Sequence, residues 1–354
     1  MTRPHVDTAI AVSRRASPAS GKYFALLAGV TLFCIASVMA INLLVDPMRY
    51  FGGNRITGKN LFFNEREAKV NLYYDRRHQF DCILFGASAS TTLDVTAIDG
   101  HTCYNFSFSG GIFEEFAAYA QYVKAVGKLP KLIIVAVDQG NLRDRRPPAH
   151  IPAFVRTFDK PEPFVQPYLS LEVMQHSLTE LFRTEYREQY YNAGEFICMI
   201  GPNHIPYTPS SAVRIDKKID QFSDRNFRFI EQIRATFPGA KFVGYAEYMS
   251  SWWTAKTYFE GQLAQVASLR HELAAKFDAF YDFAVPSADT ESTADTHDGL
   301  HYAPGAKKAF VRAFSGAPGA EVVQPLKLTK AEYVELYEKR ITDFIARQKI
   351  TAVK

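Results

Sequence analysis

Cysteine is scarce in this chain, four in 354 residues, and no group of His, Cys, Asp or Glu stands at the short spacings that bind a metal ion. The sequence therefore gives no indication of a metal centre or of any other cofactor. Basic residues are not interleaved with aromatics in a cluster, and the formal net charge is only +4, which argues against a nucleic-acid partner. There is no internal repeat, and no low-complexity tract beyond the first residues. Charge of either sign is missing altogether between Tyr23 and Val45. That run has the length of roughly 20 residues that a membrane helix needs. It is longer than a signal-peptide core, and no Ala-x-Ala-like site follows cleanly, so the expectation is a retained transmembrane helix over 23–45. The tail before it, residues 1–22, carries Arg3, Arg14, Arg15 and Lys22 among Pro and Ser. It reads as disordered and, by the positive-inside rule, cytoplasmic. Arg49 and Arg55 beyond the helix reduce that asymmetry. The bulk of the chain is then expected outside the cytoplasmic membrane.

The remainder is ordinary globular composition, 47% hydrophobic and 22% charged. Its length suits one sizeable domain with appendages. The 28 Phe and 19 Tyr are expected mainly in the core. Residues 46–80 read as a linker, rich in Gly and Asn at Gly52-Gly53-Asn54, followed by a surface helix over Glu65 to Gln79. Then come continuous apolar runs of strand length: Cys82 to Phe85, His101 to Phe106, Lys131 to Val137, Lys241 to Tyr245 and Ala279 to Phe283. Helical periodicity lies between them, over Ile112 to Val126, Ile219 to Thr236 and Ala255 to Lys276. A further helix is expected over Pro304 to Phe314. Buried strands alternating with amphipathic helices mean βαβ units and a parallel sheet. Residues 143–215 break the rhythm and are expected as an insertion over the active face, with a helix over Leu169 to Tyr191. The domain is bounded at 81–315. Residues 316–354 form a C-terminal extension with a helix over Lys330 to Gln348.

The first strand stops at Gly86-Ala87-Ser88. A serine there sits at the carboxyl edge of a parallel sheet, where open α/β folds place their ligands. Gly86 is expected to allow the tight turn. Far downstream stands Asp298-Gly299-Leu300-His301. A hydroxyl is a poor nucleophile unless a base takes its proton, and an imidazole, ordinarily titrating near ~6.5, is the natural base. Asp298 is placed to fix the tautomer of His301. Ser90 and Thr91 compete with Ser88 for the nucleophile, and His297 is a local rival for the base. Trp252 and Trp253, after the fourth strand, face the same edge and suggest either a sugar-stacking platform or packing against the insertion. Cys82 and Cys103, near the starts of adjacent strands, either form a disulfide outside the cytoplasm or remain buried thiols, the latter being the default.

Taken in order, Gly86-Ala87-Ser88, the block Tyr104 to Gly110, the loop Asp138-Gln139-Gly140-Asn141 and Asp298-Gly299-Leu300-His301 resemble the SGNH (GDSL-like) hydrolase superfamily. The likeness covers roughly residues 80–315 and is greatest to membrane-anchored members associated with bacterial envelope polysaccharides and their acylation. The third block departs from the family's Gly-x-Asn-Asp, which leaves Asn141 or Asp138 as the residue that matters there. The resemblance implies a three-layer α/β/α sandwich with a doubly wound parallel sheet. It implies catalysis by Ser88, His301 and Asp298, with Gly110, in preference to Gly111, and Asn141 meeting the oxyanion. It further implies transfer or hydrolysis of O-acyl groups, most simply acetyl, on a periplasmic or secreted polysaccharide, and a membrane-bound O-acyltransferase as partner. A non-catalytic envelope protein that binds glycan on the same scaffold is the alternative.

Overall fold

Five apolar runs become the strands of one parallel sheet in the computed structural model, which describes residues 18–144, 148–161, 165–182, 189–201, 204–216, 220–319 and 321–353. They are β1 (Cys82–Gly86), β2 (Cys103–Ser107), β3 (Leu132–Ala136), β4 (Lys241–Ala246) and β5 (Ala279–Asp282). Their spatial order is β2-β1-β3-β4-β5, all pairings parallel. This is one of the two common doubly wound orders, and its switch point lies at the end of β1. Side chains alternate between faces, as the pleat requires. Ile83, Phe85, Phe106, Ile133 and Val135 enter one core, while Leu84, Leu132, Ile134 and Val243 enter another. Because helical segments cover both faces, the strands read as unbroken apolar runs.

The helices are α1 (Pro18–Val45), α2 (Glu65–Arg76), α3 (Phe113–Val126), α4 (Leu171–Phe182), α5 (Phe227–Thr236), α6 (Ser251–Phe259), α7 (Leu263–Ala274), α8 (Lys308–Phe314) and α9 (Lys330–Gln348). Within α1, Gly21–Val45 is long and apolar enough to cross a membrane. The tail expected over 1–22 lies outside the described residues up to residue 17.

Several boundaries differ from the sequence reading. The helix expected over Ala255 to Lys276 starts earlier and is broken in two at Gly261, whose φ of +71° ends α6. The helix expected from Ile219, itself outside the described residues, runs over Phe227–Thr236, and that expected over Leu169 to Tyr191 runs over Leu171–Phe182, with Gln189–Asn192 a strand and 183–188 outside the described residues. Helix α2 is not a surface helix: Lys69, Val70, Asn71, Leu72 and Tyr73 are all buried. The C-terminal helix α9 is docked, with Tyr333 and Tyr337 donating their hydroxyls to buried Asp282, which also pairs with Arg270 at 3.2 Å.

The segment expected as a linker is packed structure. Lys59–Asn60 pairs antiparallel with Gln189–Asn192, and that strand with Cys198–Ile200. Asp46, at the foot of α1, accepts the backbone N–H groups of Tyr50, Phe51 and Gly53. Arg49 is fully buried and donates to the Asp46 carbonyl at 3.1 Å. It is therefore a buried structural cation in the folded domain. Much of 143–215 packs here, against α1 and the 59–60 strand, rather than over the active face. Among the described residues, Tyr207 reaches the 296–301 loop, its N–H donating to the Thr296 carbonyl, and Cys198–Ile200 packs against the turn over Ser88–Thr92.

Candidate active site

Strand β1 delivers the chain into a 3-10 turn over Ser88–Thr92. Gly86 is required here for space rather than for a left-handed conformation: a Cβ would lie 2.5 Å from Ser90 and 3.1 Å from the Ala136 side chain. The hydroxyl-rich run satisfies its own backbone, with Thr91 Oγ1 donating to Ser88 O at 2.6 Å and Thr92 Oγ1 to Ala89 O at 3.0 Å. Ser90, Thr91 and Thr92 are buried, whereas Ser88 is half-buried and lines a cavity of about 320 Å³. Ser90 has another task. Its hydroxyl accepts from Tyr245 at 2.8 Å and donates to Glu247 at 3.1 Å. Of the three hydroxyls weighed in the sequence, Ser88 alone faces the cavity.

His301 lines the same cavity. Its Nδ1 stands 2.6 Å from Asp298 Oδ2, so Nε2 is the nitrogen left for other work. Asp298 Oδ1 accepts the N–H groups of Leu300 and His301, both at 2.8 Å. Burial raises the Asp298 carboxyl, but the His301 hydrogen bond and charge and these two N–H groups outweigh it and hold the group well below the usual carboxylate range. The loop carrying the pair is strapped to the end of β4. Ser250 N donates to Gly299 O at 2.8 Å, and Trp253 Nε1 donates to Asp298 O at 2.9 Å. Gly299 has a φ of +81°, and a Cβ there would strike Ser250, Trp253 and Tyr207, so glycine is needed for both reasons.

Both glycines of the second block reach the cavity. Gly111 donates its N–H to the Phe108 carbonyl, while Gly110, at φ +64°, lines the cavity, as does Gly111. Glu65 and Arg66 of α2 hold the adjacent Ser109 through its N–H and carbonyl.

Asn141 does not serve as expected. It is buried and not part of the cavity wall. Its Nδ2 donates to Asp138 Oδ2 at 3.1 Å, and its Oδ1 accepts from Phe113 N at 3.3 Å. It locks the 138–142 turn to the start of α3, and Asp138 takes the backbone-holding role. Trp252 packs edge-on against Phe344 of α9. Trp253 lines the cavity, with its ring nitrogen committed to the catalytic loop. Trp252 is thus taken up by packing, while Trp253 stays at the cavity wall. At the cavity margin, Arg143 pairs with Asp220 and Lys256 with Asp216, each at 2.8 Å.

One alternative left open in the sequence is decided here, and two further features were not read from it. Cys82 and Cys103 are bridged, with Cα atoms 4.2 Å apart, because β1 and β2 pair these two residues directly across the ladder. The default of buried free thiols is corrected for them, while Cys198 remains a buried free thiol. Next, His297 lies stacked 5.7 Å from His301, so that His297, Asp298 and His301 bring ligand atoms within 4.8 Å of one another. The expectation that no ligands stand at metal-binding spacing is corrected here, since the three lie within five positions of one another in the sequence. A cation held there would compete with the imidazole for Asp298 Oδ2. Finally, Lys307 Nζ is buried between Glu247 Oε1 at 3.0 Å and the Ala89 carbonyl at 2.6 Å, directly behind the turn over Ser88–Thr92. Burial lowers the Lys307 ammonium pKa, and Glu247 opposes the shift. No family model matches this chain, and no curated protein matches it.

Proposed function

We propose that the chain is a serine-dependent acyl-ester enzyme of the SGNH type, anchored by α1 in the cytoplasmic membrane with its catalytic domain on the periplasmic side. One observation carries the reading. Ser88 and His301, brought from opposite ends of the domain, line one cavity at the switch point of a doubly wound sheet, and Asp298 holds the far nitrogen of the imidazole at 2.6 Å. The bridge between Cys82 and Cys103 supports an oxidising compartment.

In the proposed reaction, Ser88 Oγ attacks the carbonyl carbon of an O-acyl ester and His301 Nε2 takes the hydroxyl proton. The backbone N–H groups of Ser88 and Gly110 meet the developing oxyanion, each worth roughly 3–4 kcal/mol by the usual mutational measure. Collapse expels the alcohol, which receives the proton from His301 and leaves an acyl-serine. A sugar hydroxyl or water then loses its proton to His301 and attacks the acyl carbon; the bond to Ser88 Oγ breaks as His301 returns that proton to it, restoring the free serine and the neutral imidazole. The membrane anchor and the family likeness favour transfer over hydrolysis, with acetyl on an envelope polysaccharide as the substrate class. A membrane-bound O-acyltransferase would deliver acyl groups across the bilayer.

Incubating the full-length chain in detergent with a fluorophosphonate probe tests this reading. Covalent labelling of Ser88, absent in Ser88→Ala and kept in Ser90→Ala, is expected. The commitment of Asn141 to Asp138 is the observation that favours a non-catalytic glycan-binding protein. Glycan binding without labelling or turnover of a chromogenic acetyl ester would establish that alternative.

A further inference from the structure

Helix α4 presents an apolar stripe that the other described residues leave uncovered. Val173, Ser177 and Glu180 face inward. On the other side Leu171 and Phe182 are 73% and 74% exposed, with Met174 and Leu178 between them at helical spacing. Together with Gln175 and Thr179 they line a shallow groove of about 490 Å³. An uncovered apolar face of this kind marks a surface with a partner.

The position of α4 says what that partner is. Along α1, residues 21–36 are all exposed, and covering begins only at Ser37. The buried side chain of Asn42 joins the last turns of α1 to the neighbourhood of α4. Its Nδ2 donates to the carbonyls of Tyr168 and Ser170 at 2.8 and 3.3 Å, and its Oδ1 accepts from Ser177 Oγ at 2.9 Å. The bare part of α1 rises about 24 Å at 1.5 Å per residue, close to the roughly 30 Å of a bilayer's hydrocarbon. A bilayer filled by that bare stretch ends near the last turns of α1, against which α4 packs. The stripe of α4 then meets the boundary between headgroups and acyl chains, the level at which amphipathic helices lie in the membrane plane.

We infer that α4 is a second membrane contact, an in-plane helix that inserts Leu171, Met174, Leu178 and Phe182 into the same leaflet from which α1 emerges. With α1 it fixes the height and tilt of the catalytic domain over the bilayer, which a single helix followed by a free linker would not do. The inference rests on the reading that α1 spans the membrane, and the experiment separates the two.

The full-length chain is reconstituted into phosphatidylcholine–phosphatidylglycerol vesicles, and an environment-sensitive fluorophore is placed on one cysteine at a time. Native Cys34, exposed on α1, reports the anchor. Leu171→Cys and Phe182→Cys in a Cys34→Ser background report α4, and Glu335→Cys on the outer face of α9 is the aqueous control. Quenching lipids carry a nitroxide either near the headgroup or near the chain end. Cys34 is expected to be quenched by the deep nitroxide. Positions 171 and 182 should be blue-shifted and quenched by the shallow one, and position 335 by neither. If Cys34 is quenched while 171 and 182 behave like 335, or are blue-shifted without lipid quenching as under a protein partner, the α4 inference is overturned and the anchor stands. If Cys34 itself escapes lipid, the anchor reading fails first. Photoactivatable headgroup-level lipids applied to the unsubstituted chain give an independent check: adducts should map to 171–182, and adducts on α1 alone overturn the inference.

Discussion

Replacing Lys307 by Met tests how the catalytic turn is held. Lys307 Nζ and Glu247 form a buried pair, with side chains 1% and 3% exposed. The same ammonium grips the carbonyl of Ala89, the residue after Ser88. Removing one member of a buried ion pair leaves the other charged and dry, which costs about 3–5 kcal/mol, whereas removing both is often nearly neutral. Lys307→Met should therefore destabilise the fold by that amount, because Glu247 keeps only the Ser90 and Tyr245 hydroxyls and the Tyr248 N–H as partners. A Lys307→Met/Glu247→Gln double variant should recover most of the loss. Turnover should fall even where the protein is folded, since freeing Ala89 lets Ser88 drift, and a displacement of ~1 Å costs on the order of 100-fold in rate. Denaturant unfolding in detergent, followed by tryptophan fluorescence, measures the first effect, and turnover of p-nitrophenyl acetate the second. A single variant with wild-type stability, or a double variant as unstable as the two singles added together, would refute the network. Wild-type kcat in the folded single variant would refute its positioning role.

Further outcomes follow from other parts of the site. Asp298→Asn should lower kcat on the order of 10⁴-fold with KM nearly unchanged, because the amide no longer selects the His301 tautomer. Steady-state kinetics with a chromogenic ester checks this, and a loss carried mainly by KM would count against the role. The folded Asp298 carboxyl titrates below its ordinary value of 3.8, so its contribution to stability is complete above 3.8 and fades as the pH falls through the lower folded value. The stability deficit of Asp298→Asn should thus be the same at neutral and mildly acidic pH and shrink only below 3.8, as read by unfolding at each pH. Exchanging both Cys82 and Cys103 for Ala opens a loop whose ends are 21 residues apart and should cost about 3 kcal/mol in the chain-entropy picture. An unchanged unfolding midpoint would show that the ladder alone holds β1 to β2.

The local signals in the sequence were strong where local physics decides. A run such as Leu132 to Ala136, apolar on both faces, can only be a strand buried on both sides, and all five residues are buried. The charge-free stretch of α1 and the hydroxyl after Gly86 were equally plain. Asp298 and His301 were legible as a pair because three residues of spacing let them meet without help from the rest of the chain.

What the sequence could not supply was long-range. Gly86-Ala87-Ser88 favours Ser88 in the sequence, but Ser90 and Thr91 remain competitors there. Ser90 is removed from contention only because β4 lies two strands away and carries Tyr245 and Glu247, more than 150 positions on, into its hydroxyl. The same sheet order brings Lys307 under the nucleophile turn and sets Cys82 opposite Cys103. Asn141 looked available for an oxyanion until the turn's own carboxylate, Asp138, took its amide. Arg49 read as a surface cation beyond a membrane helix, yet a pocket made by residues as distant as Glu180 and Phe196 buries it. Composition and period determine which segments must be buried and in what form, because burial of apolar surface depends on neighbours along the chain. Partners for polar groups depend on which strands lie side by side, and that is fixed only when the whole sheet has closed around its core.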